Sequence, residues 1–203
     1  MREPGVGRVL VASLHQAIAD TLPTRFGFYE TFLHPDGLRE GAIGLPPLLA
    51  VLSFLRQEGE AYNRITARAG EYAAEWTIES MPPFERKLIG ALPTWLRARL
   101  VLWLAKRLVR RTCGRSRATA RLRAATAHVH LHGSVFCAVR EPVVAPLCGF
   151  YAASFSRLLT LFGMPAGSGV EGCRATDGSR PCCTLTLTLA GEARRAASRE
   201  TAA

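Results

Sequence analysis

Six cysteines stand in the chain, five of them in its last third, and three of those, Cys148, Cys173 and Cys183, fall where the pattern makes a helix and two strands. Thiolates are preferred ligands of zinc, which takes four donors at the corners of a tetrahedron. Sulfurs from the start of a helix and from both arms of a neighbouring hairpin can converge on one such ion. Cys182 and Cys183 are adjacent, so a strand sends them to opposite faces and only one can join. Cys183 shares its face with Leu185, Leu187 and Leu189, whereas Cys182 sides with the threonines, which makes Cys183 the inward candidate. Reduced cysteine is also among the most commonly buried residue types, so packing without metal is a second reading of the same three residues.

Other side chains able to do chemistry are more scattered. His128, His130 and His132 alternate on one strand face. Imidazoles suit transition metals, but alternate strand residues stand ~6.6 Å apart, two rises of ~3.3 Å each, so three could share an ion only across a strongly bent strand. A wet polar face is the simpler reading; two of the three lining a ligand pocket, His130 among them, is intermediate. Trp95 and Trp103, with Leu100 and Leu104, read either as core or as the wall of an apolar pocket against the helix that carries Phe150 and Tyr151. Arg97, Arg107, Arg110 and Arg111 rim the tryptophan helix, and guanidinium groups take carboxylates bidentately. Tyr62, Tyr72, Tyr151, Glu75 and Glu79 can pass protons, but no spacing among them makes an acid–base pair. The sequence carries no glycine-rich phosphate loop, dinucleotide fingerprint or nucleophile elbow.

The elements that position these residues follow from periodicity. Leu10, Leu14, Ile18 and Leu22 recur every four residues and predict a helix over 6–22. A Gly- and Pro-punctuated stretch, 23–47, follows with Phe26, Phe28, Tyr29 and Phe32. Residues 48–80 read as helical, interrupted near Gly59 and Gly70, and end at Met81-Pro82-Pro83 because proline cannot continue a helix. A short helix spans 84–92. The next runs from an N-cap at Thr94 to Arg111 with an apolar stripe of Leu96, Leu100, Trp103, Leu104 and Leu108. The period then falls to two: Ala127, Val129 and Leu131 mark a half-buried strand, and 135–139 continues extended. Helix returns over 147–162, and 170–175 with 182–189 form a hairpin across Asp177-Gly178. Helices first and strands later argue for an α+β fold, with helices packed on a small antiparallel sheet.

At 203 residues, 48% hydrophobic and 21% charged, the chain suits one globular domain over 1–190, with a frayed Ala-, Arg- and Glu-rich tail at 191–203. Its longest uncharged stretch, 41–55, falls short of the ~20 apolar residues a membrane helix needs, and no signal peptide is recognisable. The expectation is a soluble cytoplasmic protein with reduced thiols. Lys and Arg number 26 against 16 Asp and Glu, a formal charge of +10. Twelve of those basic residues and no acidic one lie between Arg86 and Arg123, so the whole excess sits there. Such a window can dock on an anionic partner or membrane surface, or it is a solvated helix face with a following loop.

Pro146-Leu147-Cys148-Gly149-Phe150-Tyr151, then Val170-Glu171-Gly172-Cys173-Arg174-Ala175, a turn with Gly178, and Cys183-Thr184-Leu185-Thr186-Leu187 together resemble the vinyl-4-reductase domain family. The likeness is clearest over about 120–190 and extends weakly to Gly70-Glu71-Tyr72-Ala73 and Leu92-Pro93, which look like the bacterial subgroup of bacteriochlorophyll biosynthesis. It implies the fold of small TRAPP tethering subunits, a homodimer, and a small hydrophobic ligand such as an aromatic effector or tetrapyrrole. It also implies a structural zinc held by Cys148, Cys173 and Cys183, with Glu171 as the carboxylate ligand. The function expected is a non-catalytic carrier or sensor whose pocket draws on Trp95, Trp103, Phe150, Tyr151 and His130. Tetrapyrrole vinyl reduction, as enzyme or accessory, is the alternative, and docking through the basic window is the second alternative.

Overall fold

The structure is a computed structural model that describes residues 5–33 and 44–190. The expected tail at 191–203 and residues 34–43 of the Gly- and Pro-punctuated stretch lie outside the described residues. Among the described residues, the seven α-helices are α1 (Arg8–Thr21), α2 (Phe26–Glu30), α3 (Leu45–Gln57), α4 (Glu60–Glu79), α5 (Pro83–Ala91), α6 (Thr94–Thr112) and α7 (Gly149–Leu161). Four strands, β1 (Arg117–Arg123), β2 (Thr126–His132), β3 (Ala166–Gly172) and β4 (Cys183–Leu189), form an antiparallel sheet in the order β1-β2-β4-β3. Helices packed on an antiparallel sheet are the α+β architecture that the segregation of periods implied.

Burial follows the alternation. Ala118, Ala127, Val129, Leu131, Leu185, Leu187 and Leu189 turn inward beneath α6 and α7, while the arginines of β1 and the threonines of β4 turn out. α4 runs between α1 and α7. Its inner face is built from Ala69, Gly70, Ala73 and Ala74, small enough for a neighbouring backbone to come close.

Several expectations shift. Pro46 and Pro47 occupy the first turn of α3, where a missing N–H costs nothing, so the proline pair opens a helix instead of closing a loop. The expected break at Gly59 is present, with φ of +61 that favours glycine. No break occurs at Gly70, which lies inside α4. A Cβ there would sit 2.2 Å from the Phe150 carbonyl oxygen of α7, so Gly70 permits a helix contact and does not interrupt a helix. The buried stripe of α6 is Ala98, Val101, Leu102, Leu104, Ala105, Leu108 and Val109, which keeps Leu104 and Leu108 of the expected stripe and leaves Trp95 and Trp103 facing outward. Residues 135–137 form a 3-10 turn in place of continued strand. Strand β1 was hidden in the basic window, because its inward residues are mostly alanine and give a weak apolar signal.

The Gly70 contact is testable by urea unfolding. Gly70→Ala should destabilise by about 1–3 kcal/mol through overpacking. Gly90→Ala, where the added methyl meets nothing within 4 Å, should be neutral or stabilising by up to about 1 kcal/mol.

Candidate metal centre

Four separate segments deliver one sulfur each to a single point. Cys137 ends the 3-10 turn after β2, and Cys148 caps the N-terminus of α7. Cys173 follows β3, and Cys183 opens β4. The Sγ of Cys137 lies 3.1 Å from that of Cys148 and 3.4 Å from those of Cys173 and Cys183. Cys148 and Cys183 stand 3.8 and 3.9 Å from Cys173, and all four sulfurs lie within 4.8 Å of one another. None forms a disulfide. A zinc–sulfur bond of ~2.3 Å sets the edge of a tetrahedron at ~3.8 Å, so the observed spacings fit four thiolates around one ion.

The local structure explains why these four meet. In β3, Ala166, Ser168 and Val170 pair with the inward leucines of β4, so odd-numbered residues face out. A β-bulge between Val170 and Gly172 adds one residue and reverses that parity. Glu171 is the extra residue and is exposed, while Cys173 turns inward and is fully buried. The fourth group at this point is therefore the Cys137 sulfur, while the Glu171 carboxylate, expected beside the three cysteines, lies on the exposed surface. Tyr62 of α4 holds the start of α7 by donating from its hydroxyl to the Leu147 carbonyl at 3.2 Å.

Hydrogen bonds tune the sulfurs. The backbone N–H of Arg174 donates to Cys183 Sγ at 3.3 Å, and the Cys148 thiol donates to Ser134 Oγ at 3.8 Å. Among the thiols themselves, bonds to Cys137, Cys173 and Cys183, reinforced by burial, hold the Cys148 thiol up. Bonds from Cys137, Cys148 and Cys183 hold the Cys173 thiol down. A thiol held down in this way gives up its proton more readily, as ligation of a cation requires.

A cavity of about 440 Å³ opens beside this cluster, with Cys137 and Cys183 in its wall. Leu45, Leu131, Val135 and Val139 make it apolar, and Arg115, Arg140, Arg174 and Glu141 add charge. None of the five residues expected in the ligand pocket lines it. Phe150 and Tyr151 are core: Phe150 stacks on Phe136 with ring centroids 5.1 Å apart, and the Tyr151 hydroxyl lies 3.2 Å from Thr112 Oγ1. Trp95 and Trp103 are on the outer side of α6. His130 is exposed on the outer sheet face, its Nδ1 3.8 Å from Cys182 Sγ.

Cys137 shares the odd-numbered parity of the inward residues Ala127, Val129 and Leu131, but a turn at Gly133 and the 3-10 turn separate it from β2.

Neither a family model nor a curated protein matches the chain. Among solved structures it is similar to the crystal structure of the phenol-responsive sensory domain of the transcription activator PoxR with phenol. The identity is 14% and the TM-score 0.46, over 73% of this chain and 79% of that one.

Alkylation of the native protein, followed by peptide mass mapping, should label half-exposed Cys182 well before Cys148, Cys173 and Cys183, with all six cysteines reacting after denaturation.

Proposed function

We propose that this chain is a non-catalytic binding domain for a small hydrophobic molecule, stapled by one structural zinc on Cys137, Cys148, Cys173 and Cys183. The convergence of four sulfurs at tetrahedral spacing, sharing two of those residues with a cavity wall, carries the proposal. When bound, zinc supplies a closed four-thiolate cross-link that orders loops without an open catalytic position. The chain's own residues do the rest. Leu45, Leu131, Val135 and Val139 offer apolar surface, while Arg115, Arg140 and Arg174 offer donors to an acidic group on the ligand. Its size falls in the range of ligand pockets, about 300–1,000 Å³. A hydrophobic molecule with a carboxylate or phenolic oxygen suits this lining, and a tetrapyrrole carrying acidic side chains is the class that the family resemblance suggests. The bulge that places Cys173 also places Arg174, so a ligand that moves Arg174 would pull on the staple, which is the coupling a sensor or carrier needs.

Native mass spectrometry of the intact protein tests this. The expected species is a homodimer with one zinc per subunit, with or without a retained organic mass. Cys137→Ser should lose the zinc and Glu171→Gln should keep it. Arg140→Ala should weaken capture of an acidic aromatic probe roughly tenfold, the size of one lost charge-assisted hydrogen bond. Absence of zinc from protein purified under reducing conditions would remove the staple. Turnover of a vinyl tetrapyrrole with an added reductant would replace binding by catalysis.

A further inference from the structure

The outward side of α6 is not an ordinary solvated face. Trp95 is 58% exposed and Trp103 50%, although side chains of this size are normally covered. They alternate with arginine along one stripe: Arg99 lies with its guanidinium 5.6 Å from the Trp95 ring centroid, and Arg107 lies 5.8 Å from that of Trp103. A solvated helix usually mixes acids with bases for i, i+4 pairing, but α6 and β1 contain no acidic residue at all. The neighbouring α5 adds Phe84 at 73% exposure and Leu88 at 53%, and Leu88 shares a groove with Trp103.

A second feature adjoins this stripe. Between α6 and β1 lies a cleft of about 440 Å³ lined by Arg99, Lys106, Arg121 and Arg123 over Leu102 and Leu122. None of those four cations pairs with a carboxylate among the described residues. Four cations around an apolar floor suit a phosphate that arrives attached to something greasy.

We propose that the α5–α6 face is a docking surface for a bilayer containing anionic phospholipid. The indoles of Trp95 and Trp103, with Phe84 and Leu88, enter the headgroup boundary, where amphipathic aromatic rings settle. The cleft between α6 and β1 receives a lipid phosphate. Charge complementarity selects the anionic surface, and the exposed apolar side chains select a bilayer over a polyanion in water. This docking is independent of the zinc staple and of the cavity beside it.

The test is co-sedimentation of the full chain with vesicles of phosphatidylcholine alone and of phosphatidylcholine with about 30 mol% phosphatidylglycerol. Binding is expected only to the anionic vesicles, with a blue shift of tryptophan emission, and it should fall at least tenfold from low to high salt as the charges are screened. Trp95→Ser with Trp103→Ser should weaken it about tenfold or more, and Arg121→Gln with Arg123→Gln likewise. All four side chains are exposed, so thermal melts should match the parent. Equal binding to neutral vesicles, or none to anionic ones, would overturn the proposal. So would tighter binding to duplex DNA that the tryptophan pair does not affect, which would assign the face to nucleic acid.

Discussion

The approach of α7 to α4 at Gly70 governs where the rest of the molecule can sit. A backbone carbonyl, that of Phe150, occupies the space a side chain would take. The Ser154 hydroxyl spans the same gap, 3.0 Å from the Gly70 carbonyl and 2.8 Å from that of Phe150. At the solvent edge, Arg157 of α7 reaches Glu75 of α4 at 2.8 Å. With its whole length clamped in this way, α7 has one position over β3 and β4, and Cys148 at its first turn is aimed at the strand ends. Close packing of interiors transmits such a constraint with little slack.

From that fixed point, the thiol cluster needs two local devices. One is the 3-10 turn that lifts Cys137 off the end of β2, and the other is the bulge at Glu171 that turns Cys173 inward. Each is a departure from regular strand geometry, and each brings a sulfur to the same place. Departures of this kind gather where a fold holds a site.

Periodicity alone carried the helical half, the inward leucines of β4 and the choice of Cys183 over Cys182, because each is a property of one segment. Features that depend on two segments were less legible. Glu171 and Cys173 stand two apart, which on a regular strand means one face; a bulge invisible in the residues separates them. Gly70 looks like a helix breaker until the partner backbone is in view. Trp103 suits a buried stripe by size, but Ala98, Val101 and Ala105 take the buried side and Trp103 stays half exposed. Cys137 falls within the stretch 135–139 that reads as extended, and the 3-10 turn that carries it to the other sulfurs has no signature in that alternation.

The layering also bears on how the chain is made. The small-residue face of α4 is finished when Glu79 has been added, but the helix that covers it begins only at Gly149, roughly 70 residues later. At ~5–20 residues per second, ribosomal synthesis leaves that surface without its cover for several seconds. The four sulfurs are complete only when Cys183 has been added, after α7, so the four-thiol cluster cannot steady the early helices in this interval. A nascent chain in this interval presents α1 and α4 as a helical pair open on one side, the form in which chaperones and unwanted neighbours would meet it.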